Sequence, residues 1–105
     1  MIRAQFEAQD GALCGFCVSG HAGFADAGQD IVCAGVSSAL QLTANGITEV
    51  LGEPAEVTVG DNEIRLRLCG RGSREASCFL EAFRLQLSLL AEDYPNTIEI
   101  TDREV

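Results

Sequence analysis

Ile2, Ala4, Phe6 and Ala8 alternate with Arg3, Gln5 and Glu7. A period of two makes this segment a strand with one wet face. The same alternation returns at Val57 and Val59, and again at Ile64, Leu66 and Leu68. Strands of this kind need an apolar layer on one side only, which excludes a parallel sheet covered on both faces. Gln9-Asp10-Gly11 is a turn signal, so the apolar run Leu13 to Ser19 returns as the second arm of a hairpin.

Two segments change period. Val32, Val36, Ala39, Leu40, Thr43, Ile47, Val50 and Leu51 recur at helical spacing behind Asp30, a good N-cap residue, and Gly52 and Pro54 stop them. Asn45-Gly46 weakens this helix, since glycine costs about 1 kcal/mol relative to alanine. Ala76, Phe79, Leu80, Phe83, Leu87, Leu90 and Tyr94 form a second stripe, ended by Pro95. This stripe is ordinary core spacing, and no cofactor is assigned to it. Ile98 and Ile100 predict a last strand before a short acidic tail. The order is ββαββαβ: a two-layer α+β fold with a mainly antiparallel sheet and two helices. At 105 residues, 1–105 reads as one domain.

Charge narrows the partners. Sixteen acidic residues face seven basic ones, all arginine, for a net charge of −9. Nucleic acid and anionic membranes are bound chiefly through clustered basic residues, so neither is expected as a partner. No apolar run is expected to approach the ~18–20 residues of a membrane span. The first residues, Met1-Ile2-Arg3-Ala4-Gln5-Phe6-Glu7, hold no basic stretch followed by an apolar one. The expectation is a cytoplasmic protein whose five cysteines do not form a disulfide framework.

Three constellations compete for chemistry. In the first, Asp30 caps the helix and Cys33 sits in its first turn, where the dipole and free N–H groups lower a thiol pKa. The N–H groups of Cys33 and Ala34 then form a candidate oxyanion hole, and Ser37 lies one turn on, on the same face. His21, the one histidine, stands at the start of a glycine-rich loop from Gly20 to Gln29 and is the available imidazole. The competing reading makes Cys33 a packed small residue. In the second, Cys14, Cys17, His21 and Cys33 have the donor types of a structural zinc centre. Against it, Cys14 and Cys17 fall within a strand, where residues three apart face opposite ways. In the third, Cys14-Gly15-Phe16-Cys17 is a C-x-x-C redox motif, but it lacks the helix start such a motif needs. No metal and no cofactor is expected.

Gly20-His21-Ala22 followed by Gly28-Gln29-Asp30-Ile31-Val32-Cys33-Ala34-Gly35-Val36-Ser37 resembles the signature of the ribosomal-processing cysteine protease family, Prp. The resemblance implies a cysteine endopeptidase with His21 and Cys33 as a catalytic dyad. It also implies a homodimer, and a loop that orders around substrate. The implied substrate is a bacterial large-subunit ribosomal protein with a short N-terminal extension. Such a substrate is basic, which suits a chain of net charge −9. Asp30, Ala34 and Ser37 are expected in support. Gly20, Ala22, Gly23, Phe24 and Gly28 are expected to form the substrate loop, with Gly23 and Gly28 as hinges. The rival reading is a non-catalytic acidic module that holds a ribosomal protein during assembly.

Overall fold

The structure is a computed structural model that describes residues 1–20 and 31–105 in full, and the backbone alone of residues 27–30. Strands β1 (Ile2–Gln9) and β2 (Ala12–Ser19) lead into helix α1 (Ala27–Asn45), which passes into a π-helical turn, Gly46–Val50. Strands β3 (Ala55–Val59) and β4 (Glu63–Leu68), helix α2 (Arg74–Asp93) and strand β5 (Ile98–Glu104) follow. The sheet order is β3-β4-β2-β1-β5. Only the β1–β5 pair is parallel. This is the ββαββαβ two-layer arrangement the alternation predicts.

Asp10 (φ 53°) and Gly11 (φ 82°) both take positive φ, which a two-residue hairpin turn of matching twist requires. On one face of the sheet Ile2, Ala4, Phe6, Phe16, Val18 and Leu66 pack beneath the helices. Phe83 of α2 meets the rings of Phe6 and Phe16 edge-on, with centroids 5.6 and 5.0 Å away. Ser73 caps α2 by accepting from the Ala76 N–H at 3.1 Å.

Four details depart from the expectations. Helix α1 begins at Ala27, three residues before Asp30, so Asp30 is a helical residue rather than the N-cap. Gly28 and Gln29 likewise belong to the helix and not to a loop. The weak point at Asn45-Gly46 is where the helix widens. The Leu51 N–H donates to the Gly46 carbonyl at 2.9 Å, five residues back. A Cβ on Gly46 would lie 2.5 Å from the Phe79 ring, so glycine is what lets α1 and α2 close there. Finally, the acidic tail is not a tail. Thr101 to Glu104 continue β5 alongside Gln5 to Ala8, and the Val105 N–H donates to the Ala8 carbonyl.

Contrary to the expectation that no apolar run approaches a membrane span, the segment Ile31–Val50 is long and apolar enough to cross one. Its Val32, Val36, Leu40 and Ile47 are buried in the core, and a core helix passes the same length and composition test.

The outer face is not uniformly wet. Glu7, placed there by the alternation, is completely buried. Arg67 reaches it with two hydrogen bonds, Nε to Oε1 at 3.2 Å and Nη2 to Oε2 at 2.8 Å. Glu7 and Arg67 both pair with Gly15 on the strand between them. A Cβ on Gly15 would sit 2.5 Å from the Leu66 carbonyl and 3.3 Å from the Glu7 carboxylate, so the pair spans β2 where there is no side chain. The β1–β2 register shifts between Glu7 and Ala8, leaving Cys14 as the extra residue of a bulge.

Candidate functional site

Helix α1 lies over the ends of β2 and β4, and between them opens a cleft of about 280 Å³. Cys33 and Ser37 line it from the helix; Gly20, Val59 and Asp61 line it from the sheet side. Val32 and Val36 turn inward and are buried, which fixes the rotation of α1 and leaves Cys33 half-buried and Ser37 exposed toward the cleft. Gly20 is pinned at the end of β2: its N–H donates to the Asn62 carbonyl at 3.1 Å. Its φ of +83°, and the Met1 carbonyl 2.5 Å from where a Cβ would stand, admit only glycine.

Cys33 and Ser37 therefore share one cleft, as their spacing predicts. The local reason given for thiol activation does not hold. Because α1 starts at Ala27, Cys33 is its seventh residue and Ala34 its eighth. Their N–H groups face carbonyls four residues back instead of standing free in a first turn, so they are not an oxyanion hole. Ala34 is exposed and does not line the cleft. His21, Ala22, Gly23 and Phe24 lie outside the described residues, and so do the side chains of Gly28 and Asp30.

The other thiols are built differently. Burial, and then the nearby Glu7 carboxylate, push the Cys14 pKa up. Burial, and then a thiol hydrogen bond to Glu63, push that of Cys17 up. Both are poor nucleophiles at neutral pH. Cys14 is the extra residue of the bulge, so simple strand parity does not fix its face relative to Cys17. No group of three metal-ligating side chains occurs among the described residues. Cys69 and Cys78 are exposed and do not line the cleft.

The sequence marks Gly60-Asp61-Asn62 as the turn between β3 and β4 but gives it no part in the site, whereas all three residues line the cleft. Only the β2–β4 pairing carries that turn to Cys33.

Cys33 is thus a half-buried helix thiol facing an open cleft at the sheet's end, with a serine one turn away; a thiol nucleophile placed there also needs an activating base. Residues 1–99 match the family model described as cysteine protease Prp. The chain belongs to that family and is a cysteine protease by membership. It is 27% identical to the Bacillus subtilis ribosomal processing cysteine protease Prp over 108 residues, covering 96% of each chain. It is 28% identical to the Staphylococcus aureus protein of the same name over 93 residues, covering 87% of this chain and 88% of that one. Among solved structures, S. aureus Prp with a covalently linked product peptide superposes with a TM-score of 0.88 at 26% identity, covering 98% of this chain and 100% of that chain. A Streptococcus mutans protein gives 0.87 at 25% identity, covering 100% and 96%.

Proposed function

We propose that the protein is a cytoplasmic, homodimeric endopeptidase that removes the short N-terminal extension of a bacterial large-subunit ribosomal protein. The observation that carries this reading is the placement of Cys33 in the cleft, in a chain whose relatives are named for ribosomal processing. S. aureus Prp has been solved with a substrate peptide and with a covalently linked product peptide, which fits a covalent route. The net charge of −9 suits a basic substrate.

In this reading His21 takes the proton of Cys33 and the thiolate attacks the scissile carbonyl, forming a tetrahedral adduct. The adduct collapses as His21 returns the proton to the leaving amine, and water then releases the extension from the sulfur. In support, Gly20, the residue that precedes His21 in the sequence, lines the cleft that holds Cys33. Ser37 is one turn from the sulfur and supports it as a polar neighbour. Asp30 is a helical residue one turn before Cys33 and keeps only a supporting role.

The test is adduct mapping. A chloromethyl ketone built on the extension's C-terminal residues is mixed with the protein, and the product is digested and weighed. The expected result is one adduct per chain, on Cys33, lost in His21→Ala. An adduct on any other cysteine overturns the assignment.

A further inference from the structure

We propose that the peptide-binding cleft continues along β3, where Val57 and Val59 form an apolar shelf that seats a side chain of an extended, basic substrate segment. The proposal deepens the proteolytic reading and rests on it.

Three observations point there. Val57 lies opposite Leu66 and Val59 opposite Ile64, so both valines are on the helix-facing side of the sheet. Leu66 is fully buried there, yet Val57 is 47% and Val59 72% exposed, because β3 is the edge strand and the helices stop short of it. Val59 also lines the cleft that holds Cys33, so the uncovered apolar surface is an extension of that cleft and not a separate patch.

The occupant follows from spacing and charge. Residues two apart on a strand are ~6.6–6.8 Å apart on one face, so an extended peptide presents alternate side chains at the repeat of Val57 and Val59. Asp61 and Glu63 are the charged residues among the described lining of the cleft, and both are acidic. A peptide with an apolar residue for the shelf and basic residues beside it matches both features.

The experiment compares wild type with Val57→Ser/Val59→Ser on a peptide spanning the extension and the mature start of the ribosomal protein. Both positions are exposed, and a melting curve together with the alkylation rate of Cys33 checks that the fold and thiol are kept. The double variant is expected to lose about tenfold in kcat/KM, mainly through KM. Replacing the peptide's apolar residues by alanine one at a time is expected to reveal one position that costs wild type about tenfold and the variant less than twofold. If the variant destabilises, Val59→Thr, which keeps the β-branched shape, is expected to lose about threefold. Kinetics within twofold of wild type overturn the proposal. So does a variant that changes only the sedimentation of the protein, since the valines would then meet a second copy of the chain. If wild type leaves the peptide intact, the proteolytic reading has failed and the shelf falls with it.

Discussion

Ser37 follows Cys33 by one turn of α1, and both line the cleft beneath that helix. Ser38, the next residue, is exposed and does not line the cleft. Ser37→Ala should therefore lower kcat/KM about three- to tenfold, one hydrogen bond's worth, with an unchanged melting temperature. Ser38→Ala should leave kcat/KM alone. Equal effects of the two would remove Ser37 from the site.

The cysteines should separate by reactivity. The pKa values of Cys14 and Cys17 are raised above the ordinary 9.0, chiefly by burial, so both stay protonated at neutral pH. Iodoacetamide at pH 7.5, followed by peptide mapping, should label Cys69, Cys78 and Cys33 well before Cys14 and Cys17. Labelling of the last two should rise only as pH climbs past that ordinary value. Early labelling of Cys14 would mean that the bulge is open to solvent.

The Glu7–Arg67 pair should be asymmetric. Glu7 is wholly buried, while the Arg67 side chain is 44% exposed. Arg67→Met strands a carboxylate and should cost about 3 kcal/mol in urea unfolding. Glu7→Gln leaves an arginine that water can reach, and should cost about 1 kcal/mol. Gly15→Ala should be at least as damaging as Arg67→Met, because its Cβ would press on the Leu66 backbone. The reverse order for Glu7 and Arg67 would contradict the burial.

The Arg84–Asp102 pair sets an acid dependence. Arg84 holds the Asp102 carboxyl below its ordinary 3.8, through hydrogen bonds of 2.9 and 2.6 Å. A depressed folded pKa contributes stability that is present above the unfolded value and lost as pH falls through the folded one. Asp102 is 54% exposed, so screening limits this to about 0.5 kcal/mol. Asp102→Asn should lower stability by that amount at pH 6 and by nothing at pH 2, measured by thermal unfolding. A larger loss at pH 2 than at pH 6 would reverse the sign.

Local pattern carried most of the architecture. The alternation at Ile2 to Ala8 and the stripe at Ala76 to Leu87 each needed only their own residues to be read. What was not legible depends on contacts between distant segments. Glu7 sits in a wet register and is buried because Arg67, sixty residues away, folds across Gly15. Gly46 looks like a helix defect and is a packing solution for Phe79. Asp30 looks like a cap, but the three residues before it are helical too. In the site, Cys33 and Ser37 were visible as a helical pair. The turn at Gly60 to Asn62 and the shelf at Val57 and Val59 became visible only with the sheet order.

The central claim is that Cys33 and His21 together cut a ribosomal protein precursor. The direct measurement is mass spectrometry of a peptide spanning the extension and the mature start, incubated with wild type, Cys33→Ala and His21→Ala. The account predicts a single internal cut by wild type and an intact peptide with either variant. Cleavage that survives Cys33→Ala would contradict it.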